Sequence, residues 1–127
     1  MIKNFLIINC TGKDDLIGLK LDNKFFVQKF QTNSINNDIL VNSILDLLSQ
    51  KNVDIDEKFS IIVNSGPGRF SSIRASIAVA KGIQISKKAM LFSYSNLIMP
   101  EFNLENIEFL IKKKLLENKL IKPIYIS

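Results

Sequence analysis

The sequence predicts an α/β domain built on a mixed β-sheet, and three observations lead to this prediction. Short apolar runs bounded by turn residues indicate buried strands at several points along the chain. Three of these runs come first, before any segment with helical spacing. Strand-like and helical segments then alternate, which is typical of parallel strands joined by helices.

The first three strands follow from the N-terminal part of the sequence. Residues 5–8 form a continuous apolar run that ends in the turn residues 9–12, as a buried strand does. Residues 16–21 and 25–30 are rich in β-forming residues and are joined by a short polar pair, which predicts a hairpin. The chain therefore opens with three strands in a meander.

The remaining elements alternate between helix and strand. Leu40, Ile44 and Leu47 repeat at the i, i+4 and i+7 spacing of an amphipathic helix. A β-prone run at residues 121–126 contains Pro123, which confines the run to a sheet edge or makes it an extended tail. Strands are predicted at residues 59–63 and 89–92, and helices at residues 39–50, 71–86 and 104–118.

The composition is that of a single soluble domain. At 127 residues the chain has the usual size of one domain, and its charged fraction of 23% is ordinary for a globular fold. No apolar run approaches the roughly 18 residues of a membrane span. The single cysteine allows no disulfide within the chain. We therefore expect a cytoplasmic protein that does not engage a membrane.

The positive net charge does not predict a nucleic-acid site. The charge is +5, but the 17 basic residues include only two arginines, so the other 15 are lysines, and most of these are scattered along the chain. A scattered positive balance supports solubility and weak attraction to anions rather than a defined binding groove.

The most distinctive segment is SGPGRFSSIR, residues 65–74, which joins a predicted strand to a predicted helix. A helix start exposes free backbone N–H groups and the positive end of a dipole, so a glycine-rich turn there is a common phosphate-binding element. Alternatively, the segment is only a tight turn, because glycine and proline are common turn residues. It fits neither a Walker loop nor G-x-G-x-x-G. The candidate anion loop consists of Ser65, Gly66, Gly68, Arg69, Ser71 and Ser72.

Two further features accompany this turn. The only arginines of the chain, Arg69 and Arg74, lie within it, and a guanidinium binds a carboxylate or phosphate in a bidentate way that lysine cannot match. The predicted helix that follows carries a stripe of small side chains, which lets another backbone approach closely. That backbone belongs either to the chain's own sheet or to a partner helix. The stripe consists of Ala75, Ala78, Val79 and Gly82.

The turn and its surroundings resemble the signature of the TsaB (YeaZ) family, Gly-Pro-Gly-Ser-Phe-Thr-Gly-hydrophobic-Arg, which precedes a helix with Ala-Lys-Gly. The resemblance covers residues 1 to about 98 in order. It also includes residues 123–126, which are similar to the family's closing Pro-x-Tyr-Leu. The matching residues are Gly66, Pro67, Gly68, Phe70, Ile73, Arg74, Ala80, Lys81 and Gly82, followed by the turn at residues 93–97.

The resemblance implies a fold. It implies a single lobe of the ribonuclease-H-like, actin-like (ASKHA) class, a class whose domains share the predicted order βββαβαβα. Residues 1–98 would be the TsaB-like N-terminal domain. Residues 99–127 would be a remnant of the family's second domain, with one helix and a C-terminal extended segment.

The resemblance also implies a role as the non-catalytic partner of a TsaD-like catalytic subunit, in the modification that forms N6-threonylcarbamoyl-adenosine in tRNA. A TsaE-like ATPase belongs to the same system, and tRNA would be bound indirectly, through the complex. The implied interface lies on the first two helices and consists of Leu40, Ile44, Leu47, Arg74, Ala75, Ala78, Val79 and Gly82.

Several departures from the family pattern argue against catalysis. Asn9 stands where the family has an aspartate, a residue that helps to hold metal in actin-like kinases. Arg69 and Ser72 replace a serine and a glycine of the signature. The chain has no histidine, the most common general base and metal ligand. We therefore expect no catalytic residue, no metal site and no cofactor.

Two alternative hypotheses remain open. One is an actin-like enzyme that binds a small nucleotide or phosphate through residues 66–72. The other is a homodimer that has no role in tRNA modification. The two differ in what would occupy the motif and the helices: an anion in the first case, a second copy of the chain in the second.

Overall fold

The computed structural model describes residues 2–12, 15–29, 37–99 and 101–118. The strands are β1 (Phe5–Asn9), β2 (Leu16–Leu21), β3 (Lys24–Lys29), β4 (Ser60–Asn64) and β5 (Met90–Tyr94), and the helices are α1 (Asn37–Gln50), α2 (Phe70–Lys87) and α3 (Leu104–Lys112). The five strands form one mixed sheet in the order β3-β2-β1-β4-β5. The predicted α/β class and the predicted order of elements are both confirmed.

Strand β1 is the centre of the sheet. It pairs antiparallel with β2 on one side and parallel with β4 on the other. Phe5, Leu6, Ile7 and Ile8 are each no more than 1% exposed. A strand covered on both faces needs a continuous apolar run instead of an alternating one, and this run provides it.

Helices α1 and α2 cover one face of the sheet. Leu6 and Ile8 of β1 point to this face together with Ile61 and Val63 of β4, because successive side chains of a strand point to opposite faces. The apolar stripe that predicted helix α1 therefore faces the sheet. The helices contribute Leu40, Ile44, Leu47, Ile73, Ile77 and Ala80 to this core.

Helix α3 covers part of the opposite face. Its residues Ile107 and Leu110 are 1% exposed and belong to one apolar cluster with Phe5 and Ile62. The helix begins at the side chain of Asn103, whose Oδ1 accepts a hydrogen bond of 2.8 Å from a backbone N–H of the first turn. The sheet therefore has an apolar layer on both sides.

Helix α3 ends at Lys112, earlier than the predicted end at residue 118. Lys114 adopts a left-handed conformation with φ of +56°, and the N–H of Leu115 donates to the carbonyl of Leu110 at 2.9 Å. This geometry is a Schellman ending, which reverses the chain. The residues that continue the helical pattern instead return to the sheet and pair with β5.

The bounds of β2 agree with the predicted ones, and the remaining bounds differ by at most two residues at an end, which is the usual uncertainty of such boundaries. Helix α2 begins at Phe70, one residue before the prediction. The β-prone run predicted at residues 121–126 lies outside the described residues.

Two glycines predict opposite effects of the same substitution. A Cβ on Gly18 of β2 would lie 2.6 Å from the ring of Phe25 and 2.9 Å from Ile7 Cγ2. We expect Gly18→Ala to lower the free energy of unfolding by about 1–3 kcal/mol, because the core would be overpacked. Gly82 of α2 has no atom within 4 Å of such a Cβ. We expect Gly82→Ala to raise the free energy of unfolding by about 0.5–1 kcal/mol, because alanine favours the helix.

Urea denaturation of both variants and the parent chain measures these two changes. An equal change in both variants would contradict the packing of Phe25 over β2.

Candidate functional site

The carboxyl ends of β1, β4 and β5 meet at one edge of the sheet, and each strand ends in a polar residue. Such an edge is where open α/β sheets usually bind ligands. Here the three side chains are bonded to one another. Asn9 Oδ1 accepts hydrogen bonds from Asn64 Nδ2 at 2.6 Å and from the Tyr94 hydroxyl at 2.8 Å. Asn64 and Tyr94 are no more than 2% exposed.

The Gly-Pro-Gly turn is tied to this polar cluster. Gly66 has φ of +107°, a conformation that favours glycine. Its N–H donates to Asn64 Oδ1 at 2.8 Å, and its carbonyl accepts from the N–H of Asn96 at 3.0 Å. The N–H of Ser65 donates to the carbonyl of Tyr94 at 2.9 Å. The turn is therefore held by β4 and by the residues that follow β5.

A second contact joins the turn to the loop that follows β1. The N–H of Arg69 donates to the carbonyl of Thr11 at 2.8 Å. A Cβ on Gly68 would lie 2.8 Å from Thr11 Cβ, and a Cβ on Gly12 would overlap the side chain of Arg69. Glycine is thus required on both sides of this contact because the two loops pass so closely.

These contacts occupy donors that an anion loop would need. The N–H groups of Gly66 and Arg69 already donate within the chain. Helix α2 has Arg69 as its N-cap without a side-chain hydrogen bond, so none of the three serines of the motif caps it. Ser65 and Ser72 are 7% and 1% exposed. Among the six predicted anion-loop residues, Arg69 and Ser71 have exposed side chains.

The buried thiol and phenol beneath the turn are held in their neutral forms. Burial raises the pKa of Cys10, and the charge of Asp15 raises it further. Burial also raises the pKa of Tyr94 well above its usual value. Ser76 Oγ donates to the carbonyl of Ser72 at 2.7 Å, which places this hydroxyl in the core. Because the thiolate is the nucleophilic form of cysteine, a raised pKa makes Cys10 less reactive.

A different surface lies between α1 and α2. The two helices enclose an apolar groove with a volume of about 390 Å³. Val41 and Leu45 of α1 are 37% and 57% exposed and form one wall. Ala78 and Gly82 of α2 form the other wall, and both are exposed. The sequence prediction missed Val41 and Leu45, although their i, i+4 spacing shows a second apolar strip on α1.

The structure divides the predicted interface residues between core and surface. Leu40 and Leu47 are 0% and 4% exposed and belong to the core, because their face of α1 packs on the sheet. This corrects their assignment to a partner surface. Ile44 is also in the core, at the floor of the groove.

The residues predicted on α2 are divided in the same way. Ala75 is buried at 8% exposure, and Val79 is 9% exposed and lines the groove. Ala78 and Gly82 are on the surface. Arg74 is exposed and its guanidinium carbon lies 5.0 Å from the ring centre of Phe70. The stripe of small residues therefore has two buried members, Ala75 and Val79, and two exposed members, Ala78 and Gly82.

Neither a membrane helix nor a metal cluster is present in the described ranges. No helix in them is long and apolar enough to cross a membrane. Nor do they contain a group of three or more histidine, cysteine, aspartate or glutamate residues placed to hold a metal ion.

The sheet order, with helices on both faces, defines a lobe of the actin-like, ribonuclease-H-like class. The solved structures that it resembles include YeaZ from Pseudomonas aeruginosa. The two align with a TM-score of 0.69 and 18% sequence identity, over 76% of this chain and 46% of YeaZ. The resemblance in fold that the sequence motif implied is therefore confirmed.

A second solved structure gives the same result. It is a Pseudomonas aeruginosa protein described as similar to the peptidase YEAZ, with a TM-score of 0.69, 18% identity, and coverage of 76% of this chain and 45% of that one. This chain thus spans less than half the length of either protein. No protein-family profile matches the sequence. No curated protein matches it either.

The hydrogen-bonded cluster predicts that a single-atom change will be costly. Replacing the amide of Asn64 by a carboxylate removes the donor to Asn9 Oδ1, 2.6 Å away, and leaves two oxygens facing each other in a buried position. We expect Asn64→Asp to lower the free energy of unfolding by about 2–3 kcal/mol. Urea denaturation at neutral pH measures the loss.

Asn103→Asp is the matched control. Asn103 Oδ1 only accepts a hydrogen bond, at the start of α3. A carboxylate accepts equally well there, so we expect a change within about 0.5 kcal/mol. Equal losses in both variants would mean that the cluster around Asn9 does not stabilise the fold.

Proposed function

We propose that this chain is a non-catalytic member of the TsaB family that pairs with a TsaD-like catalytic subunit in the threonylcarbamoylation of tRNA adenosine. The observation that carries the proposal is the likeness of its lobe to YeaZ over 76% of the chain. The resemblance of residues 66–74 to the family signature also supports the proposal, because it is a match of sequence and not of fold. These residues form the turn between β4 and α2 and bond to the neighbouring elements.

The groove between α1 and α2 is the proposed pairing surface. Its exposed apolar side chains, Val41 and Leu45, gain from being covered. Ala78 and Gly82 let a partner helix approach the backbone of α2, as in other helix-in-groove complexes. Lys87 at one end of the groove favours acidic groups on the partner. The exposed Arg74 lies further along the same helix.

A non-catalytic role agrees with the chemistry of the sheet edge. In the proposed family alignment, Asn9 replaces an aspartate, and its amide oxygen is occupied by hydrogen bonds from Asn64 and Tyr94. The backbone N–H groups of Gly66 and Arg69 also have acceptors within the chain. This favours a structural role for the turn over the hypothesis of a phosphate-binding enzyme. In the proposed complex, the TsaE-like ATPase and tRNA bind to the assembled subunits. They do not bind through an anion site on this chain. We propose the cytoplasm as its location.

A charge in the groove tests the pairing surface. We expect Ala78→Glu to weaken association with the TsaD-like protein by about 100-fold or more, because the interface would bury an unpaired carboxylate. Gln84→Glu is the control, since Gln84 is exposed on the same helix and lies outside the groove. Sedimentation velocity of mixtures measures association, and thermal denaturation checks that both variants stay folded.

The same measurement separates the alternatives. If the isolated chain sediments as a dimer that Ala78→Glu dissociates, the groove pairs with a second copy. If Ala78→Glu unfolds the chain, the small-residue stripe belongs to the core instead. Association that is unchanged in a folded Ala78→Glu variant would contradict the groove as the partner surface.

Complementation tests the role itself. We expect the chain, supplied with the TsaD-like protein of its own organism, to restore threonylcarbamoyladenosine in the tRNA of a strain that lacks its own TsaB. Mass spectrometry of digested tRNA measures the nucleoside. The Ala78→Glu variant should fail to restore it and the Gln84→Glu variant should succeed. Absence of the nucleoside with the unmodified chain would contradict the proposed function.

A further inference from the structure

A second apolar groove lies beside α3. Its volume is about 1270 Å³, and it is lined by Phe5, Met90 and Phe92 from the sheet and by Ile111 from α3. Lysines and glutamates both line its rim. A rim with charges of both signs does not select the charge of an occupant. The exposed side of α2 differs from this groove in that respect.

Helix α2 exposes a narrow row of side chains at intervals of four residues. Phe70, Arg74, Ala78 and Gly82 are exposed, and most of the residues between them are buried. Residues four apart form one row along a helix, and four residues rise about 6 Å. The row therefore extends about 18 Å, from the Gly-Pro-Gly turn to the wall of the groove between α1 and α2.

The charged residues of α2 are all basic. They are Arg74, Lys81 and Lys87, and the helix contains no acidic residue. Ion pairs within a helix form between residues three or four apart. The residues at these spacings from Arg74 are uncharged, so its own helix provides no carboxylate for this guanidinium. A partner would therefore meet an arginine that α2 does not neutralise.

Phe70 holds the side chain of Arg74 in place. The guanidinium carbon lies 5.0 Å from the centre of the Phe70 ring, and Phe70 is 53% exposed. A guanidinium that stacks on an aromatic face keeps the N–H groups at its edge available. Because the contact restricts the rotamers of Arg74, less side-chain entropy is lost when an anion binds. The pair therefore suits a planar acceptor such as a carboxylate.

Arg69, the other arginine of the chain, contacts a different part of the protein. Its side chain packs against the loop after β1, where a Cβ on Gly12 would overlap it. Its backbone N–H donates to Thr11 of the same loop. Arg74 is therefore the arginine that lies on the exposed row of α2, next to the proposed pairing groove.

We propose that Arg74, positioned by Phe70, forms a bidentate ion pair with a carboxylate on the partner helix that occupies the groove between α1 and α2. This inference rests on the proposed function, in which the partner is a TsaD-like subunit. Arg74 and Ala78 are one turn apart on the same row. The partner therefore carries an aspartate or glutamate one turn away from the side chain that packs on Ala78. Small residues let a helix approach but do not fix its register, which the ion pair supplies.

Charge removal at Arg74 tests the ion pair. We expect Arg74→Met to weaken association with the TsaD-like protein by about 10-fold or more at low salt, because the partner's carboxylate would be left unpaired at the interface. We expect Arg74→Lys to weaken it by about 3-fold, because lysine keeps the charge but not the bidentate geometry. Added salt should weaken the parent complex more than the Arg74→Met complex, since salt screens the ion pair. Sedimentation velocity of mixtures at low and at high salt measures each dissociation constant.

Lys113→Met is the matched control. Lys113 Nζ lies 6.0 Å from the ring centre of Phe109, which is also 53% exposed, but this pair is at the end of α3, on the opposite face of the sheet. We expect this variant to bind as the parent chain does, within about twofold, at both salt concentrations. Equal weakening in Arg74→Met and Lys113→Met would overturn the proposal, because net charge alone would then explain the loss. Thermal denaturation checks that both variants are folded.

Phe70→Leu tests the positioning role of the ring. Leucine is apolar but cannot stack on the guanidinium, so we expect association to weaken by about 3-fold. In the Arg74→Met background the same change should have no effect, because no guanidinium remains to be positioned. Equal losses from Phe70→Leu in the two backgrounds would overturn the positioning of Arg74 by Phe70.

The same measurements separate this proposal from the proposed function. If Ala78→Glu prevents association while a folded Arg74→Met variant binds within about twofold of the parent chain at both salt concentrations, the ion pair is overturned and the pairing surface stands. If the parent chain and the TsaD-like protein do not associate, both are overturned. Arg74→Lys provides the same comparison if Arg74→Met does not fold.

Discussion

The three-way hydrogen bond among Asn9, Asn64 and Tyr94 is the constraint on which the rest of the structure depends. It joins the carboxyl ends of β1, β4 and β5. Asn9 and Asn64 are 55 residues apart in the sequence, and Asn9 and Tyr94 are 85 residues apart. Asn64 also accepts from the N–H of Gly66, so the same cluster determines where β4 stops and the turn begins. The direction in which α2 leaves the sheet, and hence the groove beside α1, follows from that turn.

This constraint also limits the backbone donors that the glycine-rich motif could offer to an anion. A helix start binds phosphate through backbone N–H groups that have no other acceptor. Here Gly66 and Arg69 donate to Asn64 and Thr11, and the glycines allow two loops to pass closely instead of admitting a ligand. The motif therefore acts inside the fold, and the surface it prepares lies on the helices.

The sequence predicted the sheet more completely than the site, for physical reasons. A continuous apolar run such as residues 5–8 is enough to indicate a strand buried on both faces. The spacing of Leu40 and Leu47 identifies one face of α1, but an apolar face that packs on a sheet has the same pattern as one that binds a partner. The end of α3 was missed because Lys114 adopts the left-handed conformation without a glycine to signal it. The bonds of Asn9 span elements that no local pattern connects.

The two grooves differ in what can fill them, and this difference assigns them separate roles. The groove beside α3 adjoins an open strand edge that the chain itself begins to pair, at Glu117 and Ser93, so an occupant there gains backbone hydrogen bonds. The groove between α1 and α2 has no strand edge, and its small residues at Ala78 and Gly82 favour side-chain packing against a helix. An extended strand fits the first groove, and a helix fits the second.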